Sequence, residues 1–132
     1  DFRQQMLRER VEKLDAVLFT HAHKDHVAGL DDIRSFNFRS KKPMDIFCTN
    51  DVLNALRMEY SYIFSEKTYP GVPKVNVNII ENNNFYIDDI EIQPIRALHY
   101  KLPVLGFRIK NFVYLTDLSE INSAEKRKMI NA

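Results

Sequence analysis

Ala16-Val17-Leu18-Phe19-Thr20-His21-Ala22-His23-Lys24-Asp25-His26 is an apolar run that ends in three imidazoles and a carboxylate. Ala16 to Phe19 shows no polar alternation, the pattern of a strand covered on both faces. Three of the chain's four histidines fall in the six residues His21 to His26. Imidazole nitrogen and carboxylate oxygen are ligand types that suit zinc, manganese or iron(II). Alternate positions of an extended segment point the same way. His21, His23 and Asp25 are therefore expected to line one side of a cleft, and a turn into a helix to bring His26 round to them. The stretch reads as a metal site at the carboxyl end of a buried strand, the usual place for an α/β active site.

Upstream, Phe2, Met6, Leu7, Val11 and Leu14 recur at helical spacing and predict one amphipathic helix. Downstream, Val27-Ala28-Gly29-Leu30 opens a short helix with Asp31, Asp32 and Arg34 on its polar side, and Asn37 to Pro43 reads as a basic loop. Met44 to Thr49 predicts a second strand, with Cys48 as a small buried hydrophobe. Asn50 or Asp51 is expected to cap the next helix, whose stripe is Val52, Leu53, Leu56 and Tyr60. Beyond the turn-rich loop Ser65 to Pro73, the pattern has period two from Val75 to Thr116. That predicts a β-meander with turns at 82–84, 88–89 and 110–111. Pro94 marks an edge or a bulge. His99 and Asp117 each follow a strand in this half, and Ser123 to Ala132 is helical in pattern.

At 132 residues the chain is one domain or less. It is 45% hydrophobic and 28% charged, as soluble globular proteins are. A formal charge of +1 points away from nucleic acid and from anionic membrane. Cys48 is the only cysteine, so an internal disulfide and a thiolate metal cage are both excluded. A reducing, cytoplasmic setting is the expectation, and no apolar stretch is long enough to span a bilayer. The chain starts without methionine and stops inside a helical pattern, which suggests a piece of a longer protein.

Thr20-His21-Ala22-His23-Lys24-Asp25-His26 followed by Gly29-Leu30 resembles the signature of the metallo-β-lactamase-fold hydrolases. The resemblance extends to His99 and Asp117. It implies an α/β (α+β) fold, an αββα sandwich, here one metallo-β-lactamase-like domain over 1–132 that is truncated at both ends. It also implies two divalent metal ions, zinc or manganese with iron as a further option. His21, His23 and His99 would bind the first, Asp25 and His26 the second, and Asp117 would bridge them. His99-Tyr100-Lys101-Leu102-Pro103-Val104-Leu105-Gly106-Phe107 is similar to a stretch of the phosphonate-pathway cyclic phosphodiesterases within that superfamily. The family's later histidine has no counterpart, since none follows His99, and its opening β-hairpins are missing.

The function this implies is hydrolysis of a small cyclic phosphate ester by a metal-activated hydroxide, with Asp25 orienting it and accepting its proton. Asp31, Asp32 and main-chain carbonyls are candidate acceptors for the imidazole N–H groups. Lys101 and Arg34 are candidate phosphate contacts, or else solvated charges. Tyr100 is a pocket wall, or else a ring packed on the sheet. The alternatives are another hydrolysis on the same metals (an RNA 3′ end, a thioester or a lactone) or a non-catalytic piece of such an enzyme. Strand edges left unpaired would favour a homodimer.

Overall fold

A computed structural model describes residues 1–66 and 69–130 and divides into two compact units, 1–79 and 80–132. Positions 67 and 68 of the expected turn-rich loop, and 131 and 132 of the last helical pattern, lie outside the described residues.

The first unit opens with α1, Phe2–Arg8, capped by the Asp1 carboxylate, which accepts from Gln4 N at 2.8 Å. The predicted helix ran on through Leu14. It stops early because Arg10 is left-handed, at φ 52°, with Arg10 N donating to Leu7 O and Val11 N to Met6 O. This is a Schellman close in which arginine stands where glycine is usual. Val11 and Leu14 still pack on the core from the irregular segment beyond it. β1 (Ala16–Leu18), β2 (Met44–Cys48) and β3 (Val75–Ile79) form a parallel sheet in the order β1-β2-β3. β3 thus leaves the expected meander. Its alternating valines and isoleucine fit a strand, but alternation says nothing about which neighbour it pairs with.

Between β1 and β2 the chain forms α2 (Lys24–Val27), a 3-10 turn (Leu30–Ile33) and α3 (Arg34–Ser40). The helix therefore begins inside the histidine motif, and α3 occupies most of the expected basic loop. Gly29 joins these pieces at φ 92°, and a Cβ there would lie 2.8 Å from Phe2 Cβ, so α1 packs where only glycine fits. α4 (Asn50–Glu59) is capped by Thr49, one residue before the expected caps, whose Oγ1 accepts from Val52 N at 3.4 Å. It buries Val52, Leu53 and Leu56 in a core that includes Phe19, Leu30, Ile33, Ile46 and Cys48.

The second unit is the predicted meander, reduced to four strands. β4 (Phe85–Ile87), β5 (Ile90–His99), β6 (Leu102–Ile109) and β7 (Phe112–Tyr114) pair antiparallel in sequence order. Each turn carries a left-handed residue: Asp88, Tyr100 and Lys110. β4 ends opposite Ile92, so Pro94 lies on an open edge of β5 while its other side pairs with Phe107. The edge reading of Pro94 holds, because its missing N–H falls where no ladder partner exists. That edge is covered by α5 (Ser123–Arg127) and the residues beside it. Glu125 Oε2 accepts from Arg96 N at 2.8 Å, and Lys128 Nζ donates to Pro94 O at 2.9 Å. Burial pushes the Glu125 carboxyl up, but hydrogen bonds from Lys128 and the Arg96 backbone and the nearby cations outweigh it and hold the pKa below the usual carboxylate value.

Candidate metal centre

His21 emerges from β1 after Phe19 N has made a last bond to Phe47 O at 2.9 Å. Its ring is buried, 1% exposed, and stands at the foot of the site. The Thr20 hydroxyl lies 3.1 Å from His21 Nδ1. With the proton on Nδ1 donated to that oxygen, Nε2 is the nitrogen that would meet an ion. His23 is the extended residue before α2, and Asp25 and His26 sit within α2. The ring centroids of His21 and His23 are 4.7 Å apart, and those of His21 and His26 4.1 Å. Asp25 Oδ2 is 3.5 Å from His26 Nε2. His26 does turn back to His21, but the extended segment ends at His23, so Asp25 reaches the group from inside α2 and not by strand alternation.

The loop is held from behind by the end of α4. Lys24 pairs with Glu59, and the Tyr60 hydroxyl donates to Val27 O at 3.0 Å. Burial, and next the Asp31 charge, raise the Tyr60 pKa, so its hydroxyl stays a donor. Asp31, expected among the acceptors of imidazole N–H groups, accepts from the Tyr62 hydroxyl instead. Burial and that hydrogen bond raise the Tyr62 pKa as well. Tyr60 and Tyr62 were not legible as site residues. A hydroxyl two helices away carries no spacing signal.

In the second unit, His99 is the last residue of β5, and Asp117 follows β7 in a left-handed conformation, φ 51°. The Thr116 hydroxyl donates to Asp117 Oδ1 at 3.0 Å. Tyr100 is 79% exposed, which removes the option of a ring packed on the sheet. Lys101 Nζ lies 5.8 Å from its ring centroid. Arg34 lines a cavity of about 330 Å³ with Arg3, Phe2, Met6 and Phe36, and no motif histidine is in that lining.

The donor set of the first unit suits a borderline divalent ion: three neighbouring imidazoles and a carboxylate, with no competing thiolate. Cys48 is fully buried and its thiol is pushed up to about 11 by that burial, so it is neither a ligand nor a nucleophile. At pH 8 only about one thiol in a thousand would be ionised. An alkylating reagent is therefore expected to leave the native protein unmodified over hours and to label one cysteine promptly in denaturant, as mass spectrometry would read.

A parallel sheet with a histidine-rich loop after its first strand, in a chain that also holds a four-stranded antiparallel meander, matches what the sequence resemblance implies. The chain belongs to the beta-lactamase superfamily, whose domain model matches residues 1–132. It is 36% identical over 126 residues to an octanoyltransferase of Porphyromonas gingivalis, covering 95% of this chain and 25% of that protein. It is 27% identical over 112 residues to ribonuclease Z of Staphylococcus epidermidis, covering 80% and 35%. Among solved structures, a diphosphatase from the PhnP family superposes with a TM-score of 0.85 at 27% identity, over 97% of this chain and 49% of that one. The short form of human tRNase Z shares the fold, with a TM-score of 0.59 at 15% identity, over 96% of this chain and 58% of that one. The chain thus spans about a quarter to a third of these curated relatives and about half of the diphosphatase.

Proposed function

We propose that the chain carries the metal-binding part of a hydrolase that cleaves a small phosphate ester, a cyclic phosphodiester above all. The observation that carries this reading is the convergence of the His21, His23 and His26 rings, at 4.1 and 4.7 Å, beyond the end of β1. Likeness to a PhnP-family diphosphatase supports a phosphate-ester substrate over other hydrolyses of the superfamily. His21, His23 and His99 would hold one divalent ion and Asp25 and His26 a second, with Asp117 between them, and zinc or manganese suits this mixed nitrogen and oxygen set. The two units would then be parts of one catalytic domain. Bound there, the ions would acidify water and offset the negative charge that builds on the phosphoryl oxygens.

The protein's own groups divide the remaining work. Asp25 has its side chain 82% exposed, so it can take a proton from water and pass it to solvent. Thr20 and Tyr60 hold the loop and so keep the imidazoles aligned. Lys101, two residues after His99 on the β5–β6 turn, is a phosphate contact, and Tyr100 between them a wall of the pocket. Arg34, the other sequence candidate, lines a cavity without a motif histidine and is given no phosphate contact. The setting we assign is cytoplasmic; among the described residues no helix is long and apolar enough to cross a membrane.

Hydrolysis of an RNA end is the second reading, favoured by the identity to ribonuclease Z and opposed by the formal charge of +1. Turnover of an activated cyclic phosphodiester, a thioester and a short RNA, with zinc or manganese added and with chelator, tests these readings. Phosphodiester hydrolysis that needs the metal, with thioester and RNA untouched, is the expected result. A preference for thioester or RNA would replace the first reading.

A further inference from the structure

Ser119 lies in none of the strands or helices and is exposed, yet its hydroxyl makes two hydrogen bonds that bracket His99. It donates to the carbonyl of Leu98, the residue before His99, at 3.0 Å, and accepts from Tyr100 N, the residue after it, at 2.6 Å. The backbone reinforces this. Ser119 N and Glu120 N donate to Leu98 O at 2.7 and 3.1 Å, and Leu98 N donates to Glu120 O at 2.8 Å. Glu120 thereby extends β5 by a single antiparallel bridge to Leu98.

Two residues before Ser119 is Asp117. Asp117 and Tyr100 are both left-handed and neither is glycine, at φ 51° and 58°. Such conformations cost on the order of 1 kcal/mol each and last only where neighbouring bonds over-determine them. The Ser119 hydroxyl joins the turn that follows His99 to the loop that follows Asp117. We propose that Ser119 is a positioning residue for the metal centre, a clasp that sets the His99 imidazole and the Asp117 carboxylate in register with one another. The proposal rests on the assignment of both residues as ligands.

Outer partners of metal ligands typically contribute 10–100-fold to affinity. Ser119 acts through backbone on either side of one ligand, so the lower end of that range applies. Ser119→Ala should weaken zinc or manganese binding about tenfold and, in metal-free protein, speed hydrogen exchange at the Tyr100 amide while leaving the amides of β1 and β2 unchanged. Ser119→Thr keeps the hydroxyl at an exposed position and should restore both. Wild-type metal affinity in Ser119→Ala, beside lowered affinity in His99→Ala and Asp117→Ala, would overturn the clasp and leave the metal centre standing. Unchanged affinity in His99→Ala and Asp117→Ala would overturn the ligand assignment itself, and the clasp with it. General loss of affinity in Ser119→Ala that the threonine does not restore would also count against it.

Discussion

His23→Ala is expected to strip the protein of its metal without loosening the fold, and His21→Ala to do both. The two rings are neighbours, at 4.7 Å, but their surroundings differ. His23 is exposed at the start of α2, where side-chain truncation normally shifts stability by less than about 0.5 kcal/mol. His21 is buried against Thr20, so removing its ring leaves a void and a hydroxyl without its ring partner, a cost of about 2 kcal/mol. Metal-free protein should therefore melt normally in the first variant and several degrees lower in the second. For metal retention the two should look alike. Losing a ligand outright should exceed the roughly 10–100-fold loss seen for outer partners, so bound zinc or manganese after dialysis should fall to background in both. Phosphodiester turnover should fall by more than about 100-fold with it. Atomic absorption, thermal melts of chelated protein and steady-state rates separate these effects. Full metal content in His23→Ala would remove that residue from the ligand set.

The contrast shows which kind of information the sequence carries. The candidate ligand loop was legible because metal chemistry restricts residue type and spacing together, and few unrelated loops place His21, His23, Asp25 and His26 so close. Strands and helices were legible wherever periodicity was strong, as in β2, α4 and β5. What was hidden depends on partners distant in sequence. β3 alternates like a meander strand, yet pairs parallel with β2, because pairing is decided across the sheet. α1 ends at Arg8 although its apolar spacing continues, since a left-handed Arg10 lets Val11 and Leu14 reach the core without a helix. α3 runs through Asn37 to Ser40, where a basic stretch looked like loop. Its Asn37 side chain then bonds Lys42 O, Lys74 O and Lys74 N, tying the helix to the residue before β3. Serine at 119 looked like any loop serine. Only the fold reveals that its hydroxyl spans the two sides of His99.

Gly106→Ala should be the most damaging single-methyl change in the second unit. Gly106 sits mid-β6, opposite Ile95, and needs no unusual backbone angle; its reason is space. A Cβ there would fall 2.1 Å from Leu115 Cδ2 and 2.7 Å from Tyr114 O. The leucine side chain can swing away. The carbonyl cannot, because Tyr114 is paired with Phe107 at the end of β7. Strand β7 must therefore move by several tenths of an ångström, and overpacking of this kind costs about 1–3 kcal/mol. For a domain of this size that is a fall of several degrees in Tm. Asp117 is three residues beyond Tyr114, so the displacement should reach the carboxylate assigned to bridge the metals. Misplacing a reacting group by about 1 Å can cost about 100-fold in rate, and a shift of less than that should still lower turnover and metal affinity by about tenfold. The double variant Gly106→Ala/Leu115→Ala discriminates the two clashes. It should recover only part of the stability, because the carbonyl contact remains; complete recovery would mean that β7 never had to move, and that the close approach of β6 to β7 has no part in setting Asp117.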